Sequence, residues 1–200
     1  AQRARSRESA KFHDMDDSAW VNFSQSGGQS FAGYGLESHE TTVVRYKYVD
    51  DVIELVLEST PFYAEGGGEL GDHGEIVGDG FKVAITDVQR LNGVIHHMGT
   101  LAEGTLNLTE TSKVVAHVDL ARRSDKTVHH TATHLLHAAL QNVLGANVQQ
   151  KGSVVATNRL RFDFSHGKPM TTKEVAAVEH WVNAEIRANR DVQIQEGVSL

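Results

Sequence analysis

Two spacings of apolar residues divide this chain. Between Trp20 and Val118 they tend to alternate within short runs, whereas in the last third they recur mainly every three to four residues. Alternation is the period of a strand with one buried face, and the longer spacing is that of an amphipathic helix. Residues 40–49, 52–57, 81–85, 93–99 and 114–118 are rich in β-branched side chains and predict strands. Short strands separated by glycine-rich turns suggest a small barrel or sandwich.

The period changes after the last of these runs. Ser124 and Asp125 offer an N-cap for a helix over residues 126–144, closed by Gly145, with Leu136, Leu140, Val143 and Leu144 on its core face. Two strands follow, over residues 147–156 and 159–165. Thr171 with Glu174 three positions on is a capping-box pattern, and Val175, Val178, Val182 and Ile186 make one stripe on a helix reaching about Ala188. The expected fold class is α+β: an N-terminal small β-barrel over residues 20–120, then a helix–hairpin–helix domain over residues 121–200. Residues 1–19 read as a charged helical tail belonging to a preceding domain.

Composition narrows the class. Two hundred residues, 40% hydrophobic and 22% charged, suit one sizeable globular domain or two small ones. No run of about 18 apolar residues is available for a membrane span. The arginines near the N-terminus are not followed by the apolar stretch of a signal peptide. The chain has no cysteine, which excludes disulfides and thiolate ligands from its own residues and fits a reducing, cytoplasmic setting. It does not begin with Met and reads as a piece of something longer. Net charge is −7, yet between Lys113 and Lys168 eight cations face three anions, a local +5 against −12 for the remainder. That basic segment suits a phosphate-bearing partner, the alternative being a solvated face with no ligand.

The basic segment surrounds His130 and His134, four apart on the predicted helix, so that both imidazoles project from one face. Two such nitrogens can share a divalent cation, most naturally zinc, if a third ligand joins them; otherwise they are ordinary helical histidines. His137 would splay from a shared centre. A peptidase of the His-Glu-x-x-His type is excluded, because Thr131 stands where the glutamate is needed. The stretch from Ser59 to Gly74 holds five glycines in the nine residues from Gly66, which permits close backbone approach to a ligand or to another segment. No Gly-Lys-Ser/Thr follows, so it is no Walker loop. Alone, it would be a barrel-corner turn.

Taken together, Thr60-Pro61-Phe62-Tyr63-Ala64-Glu65-Gly66-Gly67-Gly68 with Gly71-Asp72, the run from His130 to Leu140, Val143-Leu144-Gly145, Gln150-Lys151-Gly152-Ser153 and the run from Leu160 to His166 resemble the alanyl-tRNA synthetases, in that family's order. The resemblance implies a middle barrel followed by most of an editing domain. Such a domain hydrolyses tRNA(Ala) mischarged with serine or glycine, which binding alone discriminates poorly. It implies Zn2+ held by His130 and His134 together with a Cys-x-x-x-His pair that would lie beyond Leu200. It implies a substrate-facing Gln150, with Thr131 and Thr133 beside the ligands and able to meet a seryl hydroxyl, although Thr133 is also suited to supporting the helix. Gly66, Gly67 and Gly68 would lie near the acceptor end of tRNA(Ala), and Lys151, Arg159 and Arg161 near its phosphates, although Arg161 is also placed to pair with Asp163. ATP and Mg2+ would belong to an aminoacylation domain, and dimerisation to a further domain, neither carried here. Glu69 stands where the family often has Gln, and Asn147 where it often has His. Two other readings remain: a free-standing trans-editing deacylase, and a non-catalytic RNA-binding barrel.

Overall fold

The computed structural model describes residues 19–24, 29–33 and 35–191. The expected helical tail over residues 1–19 lies almost wholly outside that range. The described residues fall into two compact units, the chain passing between them after Gly66, Glu69 and Arg123.

The first unit is built on six strands: β3 (Ser38–Val49), β4 (Val52–Leu57), β6 (Gly74–Gly78), β7 (Phe81–Leu91), β8 (Val94–Gly104) and β9 (Lys113–Val118). They pair antiparallel in the order β3-β4-β8-β7-β6-β9, and β9 returns to β3, closing a barrel that leaves few exposed edges. β1 (Val21–Asn22) adds to β3, and β2 (Ser30–Phe31) runs parallel to β5 (Ser59–Thr60). The five predicted strands are all present. β6 was not foreseen, because Gly74 and Gly78 at its ends leave only three side chains to carry an alternation.

Inward positions follow the period of two until a bulge resets it. In β7, Phe81, Val83 and Ile85 point into the core; the register shifts between Ile85 and Asp87, and the next core residue is Val88. One extra residue on the bulged strand is enough to move the inward phase from odd to even numbers. Phe62, Ile53, Leu55, Leu57, Ile76 and Ile95 complete a core of fully or nearly fully buried side chains, each contributing about 1.5–3 kcal/mol of transfer free energy.

Two buried polar clusters brace this unit. His97, fully buried, donates from Nδ1 to the Leu55 carbonyl at 3.0 Å, and the Thr60 hydroxyl lies 2.7 Å from its Nε2. With Nδ1 carrying the proton, Thr60 is the donor to Nε2. Burial pushes the imidazole pKa down to about 4, so the ring is neutral at pH 7. On another face Glu54 accepts from Lys47 at 2.6 Å and from His96, with Trp20 packed over Arg45 and Lys47 as a cation–π lid. Burial pushes the Glu54 carboxyl up, but the bonds from His96 and Lys47 outweigh it and hold it below the ordinary carboxylate value.

The second unit carries most of α1 (Leu120–Leu144), the antiparallel hairpin β10 (Gln150–Ala156) with β11 (Arg159–Phe164), and α2 (Thr172–Ala188). Ala139, Leu140, Val148 and Val178 form its buried core, with Leu136, Val143, Phe162, Phe164 and Trp181 packed against them. The chain is therefore α+β, an antiparallel barrel with two helices.

Two expectations about the helices are corrected. α1 begins at Leu120, not near Lys126: Asp119 caps it, its carboxylate accepting from the Arg122 backbone at 3.0 Å, so Ser124 and Asp125 lie inside the first turns. In α2 the capping box forms as expected, Thr171 accepting from Glu174 N–H and Glu174 from Thr171 N–H. Its buried stripe, however, is Val178, Trp181 and Val182, while Val175 and Ile186 are 40% and 53% exposed. The 3.6-residue period keeps Val175, Val178, Val182 and Ile186 on one side of the helix, but the core covers only the middle of that stripe, at Val178 and Val182. Among the described residues no helix is long and apolar enough to cross a membrane.

Candidate functional site

α1 forms because its core face is Leu/Ala-rich and its interior holds neither glycine nor proline. Burying Leu136, Ala139 and Leu140 leaves His130 and His134 on the exposed side. The two rings stack 5.1 Å apart, within 18° of parallel, and the His130 side chain is 46% exposed. They neither diverge nor lie behind packed aliphatics. His137, a turn further on, packs its ring 5.2 Å from Phe162 and has a buried Nε2 with no hydrogen-bond partner. Thr131 is exposed; Thr133 is buried, its hydroxyl donating to the His129 carbonyl at 2.8 Å, which makes it a support of the helix. His129 in turn bonds the Ala156 carbonyl through Nδ1 at 2.8 Å, joining α1 to the end of β10.

The glycine-rich segment enters this unit through three residues, Gly67, Gly68 and Glu69. They lie along β10: Val155 N–H donates to Gly68 O at 2.7 Å, the Ser153 hydroxyl lies 3.3 Å from Gly67 O, and Glu69 bridges Val155 in parallel. Gly68 has φ +89°, and a Cβ there would sit 2.3 Å from Ser153 Oγ and 2.7 Å from Ser153 O. Only glycine tolerates both the dihedral and the approach. Gly67 also has positive φ, at 60°, whereas a Cβ on Gly66 would meet nothing closer than the Tyr63 hydroxyl at 3.6 Å.

Gln150 opens β10, exposed, and its amide donates to Ser153 Oγ at 3.1 Å. A chain of contacts therefore runs from Gln150 through Ser153 to Gly67, while two residues along the same strip Glu69 Oε2 accepts from His130 Nδ1 at 2.6 Å. Three motifs separated by up to 83 positions in sequence meet here. Glu69 is the participant that spacing alone does not reveal, since its neighbour is set by how Gly67 and Gly68 turn the chain.

The cations are more occupied than their number suggests. Lys113 pairs with Glu40, Arg122 with Asp119, Arg123 with Asp72 and Arg161 with Asp163, and Lys126 is buried. Arg123 also donates to the Gly33 and Pro61 carbonyls, so it braces the first unit. Lys151 bonds Gln149 at 3.0 Å, and Lys151, Arg159 and Lys168 are exposed.

For a metal, the donor set is half of what zinc requires. His130 and His134 are two nitrogen ligands on one face, and no group of three or more His, Cys, Asp or Glu able to hold a metal ion occurs among the described residues. A complete centre needs at least one further ligand from elsewhere.

Residues 1–122, more than half of the chain, match the family described as tRNA synthetases class II (A). Among curated proteins, an alanine–tRNA ligase from Xanthomonas euvesicatoria pv. vesicatoria is 48% identical over 153 residues, which cover 76% of this chain and 17% of that protein. One from Xanthomonas campestris pv. campestris strain B100 is 49% identical over 146 residues, 72% of this chain and 16% of the relative. The chain thus spans about a sixth of the length of these relatives. It belongs to the class II (A) tRNA synthetase family.

Proposed function

We propose that the second unit is an editing centre of alanine–tRNA ligase, hydrolysing the ester of tRNA(Ala) that carries serine or glycine in place of alanine. The observation that carries this reading is the meeting of Gly67–Glu69, the His130/His134 pair and Gln150 through hydrogen bonds within one unit. The exposed imidazole pair suits a metal ion, and Zn2+ bound there with ligands from outside the described residues would supply Lewis acidity or fix the terminal adenosine. Gln150, the exposed first residue of β10, would offer an amide donor and acceptor to the aminoacyl group or the ribose, and exposed Thr131, next to His130 in sequence, a hydroxyl. Gly66–Gly68 present bare backbone to an acceptor end. Exposed Lys151 and Arg159 would meet phosphates, as would Arg161 if it released Asp163. Charging of tRNA(Ala) with alanine, using ATP and Mg2+, would belong to other parts of a ligase as long as the relatives.

The test is deacylation of Ser-tRNA(Ala) by the protein carrying this chain. His130→Ala and Gln150→Ala should each slow hydrolysis at least tenfold, on the order of what disturbing a metal's ligand sphere costs, while leaving the barrel folded. Equal rates in all three proteins would remove the catalytic reading and leave an RNA-binding barrel.

A further inference from the structure

We propose that Glu69 is a positioning residue: by accepting the His130 Nδ1 proton it fixes the ring's tautomer and turns a lone-pair Nε2 outward. This deepens the editing reading at the same site, but it rests on its own geometry. A neutral imidazole has one donor and one acceptor nitrogen, and the bond made by one decides the role of the other. The 2.6 Å contact between His130 Nδ1 and Glu69 Oε2 assigns the proton to Nδ1, since a carboxylate can only accept. Nε2 then has no hydrogen-bond partner among the described residues and is the nitrogen available to a cation or a substrate.

Three observations make this more than a passing surface contact. The Glu69 side chain is only 13% exposed, so water competes weakly for its oxygens. Its backbone is held in register by the bridge to Val155 and the 2.7 Å bond from Val155 N–H to Gly68 O. That register depends in turn on Gly68, where any side chain would strike Ser153. The glycines, on this view, deliver a carboxylate to a histidine. Carboxylate partners of this kind orient metal-binding imidazoles, and their loss weakens metal binding about 10–100-fold.

The experiment compares the 200-residue chain with Glu69→Gln and Glu69→Ala, each labelled with 15N-histidine, by two-bond 1H–15N correlation at a pH where the ring is neutral. Wild type and Glu69→Gln should show His130 with its proton on Nδ1, because a glutamine Oε1 can still accept. Glu69→Ala should move it to the Nε2–H form that a free imidazole favours. Zn2+ titration followed through the same resonances should show attachment at Nε2, with apparent affinity falling about 10–100-fold in Glu69→Ala and much less in Glu69→Gln. An unchanged tautomer in Glu69→Ala overturns the proposal. So does a Glu69→Gln variant as impaired as the alanine one, which would make the carboxylate itself a ligand. Should the tautomer switch while His130→Ala leaves deacylation intact, the editing reading falls and the positioning role stands.

Discussion

His97 shows how much one buried ring can contribute to the behaviour of the protein. Enclosed by Leu55 O, Thr60 and the edge of Phe62, it stays neutral in the fold, whereas in the unfolded chain it titrates near 6.5. The unfolded state therefore binds more protons between pH 6.5 and about 4, so the ring's contribution is complete above pH 6.5 and is lost as pH falls to about 4. At 1.36 kcal/mol per pK unit the full loss is about 3 kcal/mol. Chemical denaturation at pH 7, 5.5 and 4 should show that decline in wild type, and His97→Gln should remove most of the slope between 6.5 and 4, at the cost of a lower plateau. Glu54 adds a second loss further into the acid range, since its folded pKa lies below 4.5 and its contribution disappears as pH falls through the folded value. An acid limb that begins only below pH 4.5 in wild type would contradict the assignment for His97.

Among the elements, the strip of Gly67–Glu69 against β10 carries the sharpest expectation. Gly68→Ala must relieve both a φ of +89° and a 2.3 Å approach to Ser153, so it should cost more than about 1 kcal/mol and weaken the bond to Val155 N–H. Faster hydrogen exchange at the Val155 amide is the measurement, and unchanged protection there would refute it. The same elements show what could be read from residues alone. Long alternating runs such as residues 40–49 declared their strands, and Thr171 with Glu174 declared the start of α2, because those patterns are local and unambiguous. The start of α1 was hidden by rivalry: Ser124 and Asp125 are as good a cap by residue type as Asp119, and only the turn already formed at Leu120–Arg123 decides between them. The outer residues of the α2 stripe misled for a different reason, since Val175 and Ile186 match the period yet face solvent. The histidine pair stood out by its spacing, and Gln150 only through the family resemblance. The carboxylate on His130 did not, because it comes from 61 positions away by way of two positive-φ glycines.

For the whole chain, the decisive fact is that the second unit is not continuous in sequence. A protein beginning at Ser124 would keep α1 from its second turn, the hairpin and α2, with the core of Leu140, Val148 and Val178. It would lack the strip beside β10 and the partner of His130. Such a fragment should keep its helical circular dichroism but lose exchange protection at Val155 and the Nδ1–H tautomer of His130. Retention of both would mean that the strip is dispensable. The three residues also bear on inheritance. Because the later unit completes itself with a borrowed stretch encoded some sixty codons upstream, a crossover between divergent genes at the obvious seam would bring together a strip and a hairpin that had not changed in step. Successful chimaeras should therefore exchange both stretches at once or neither.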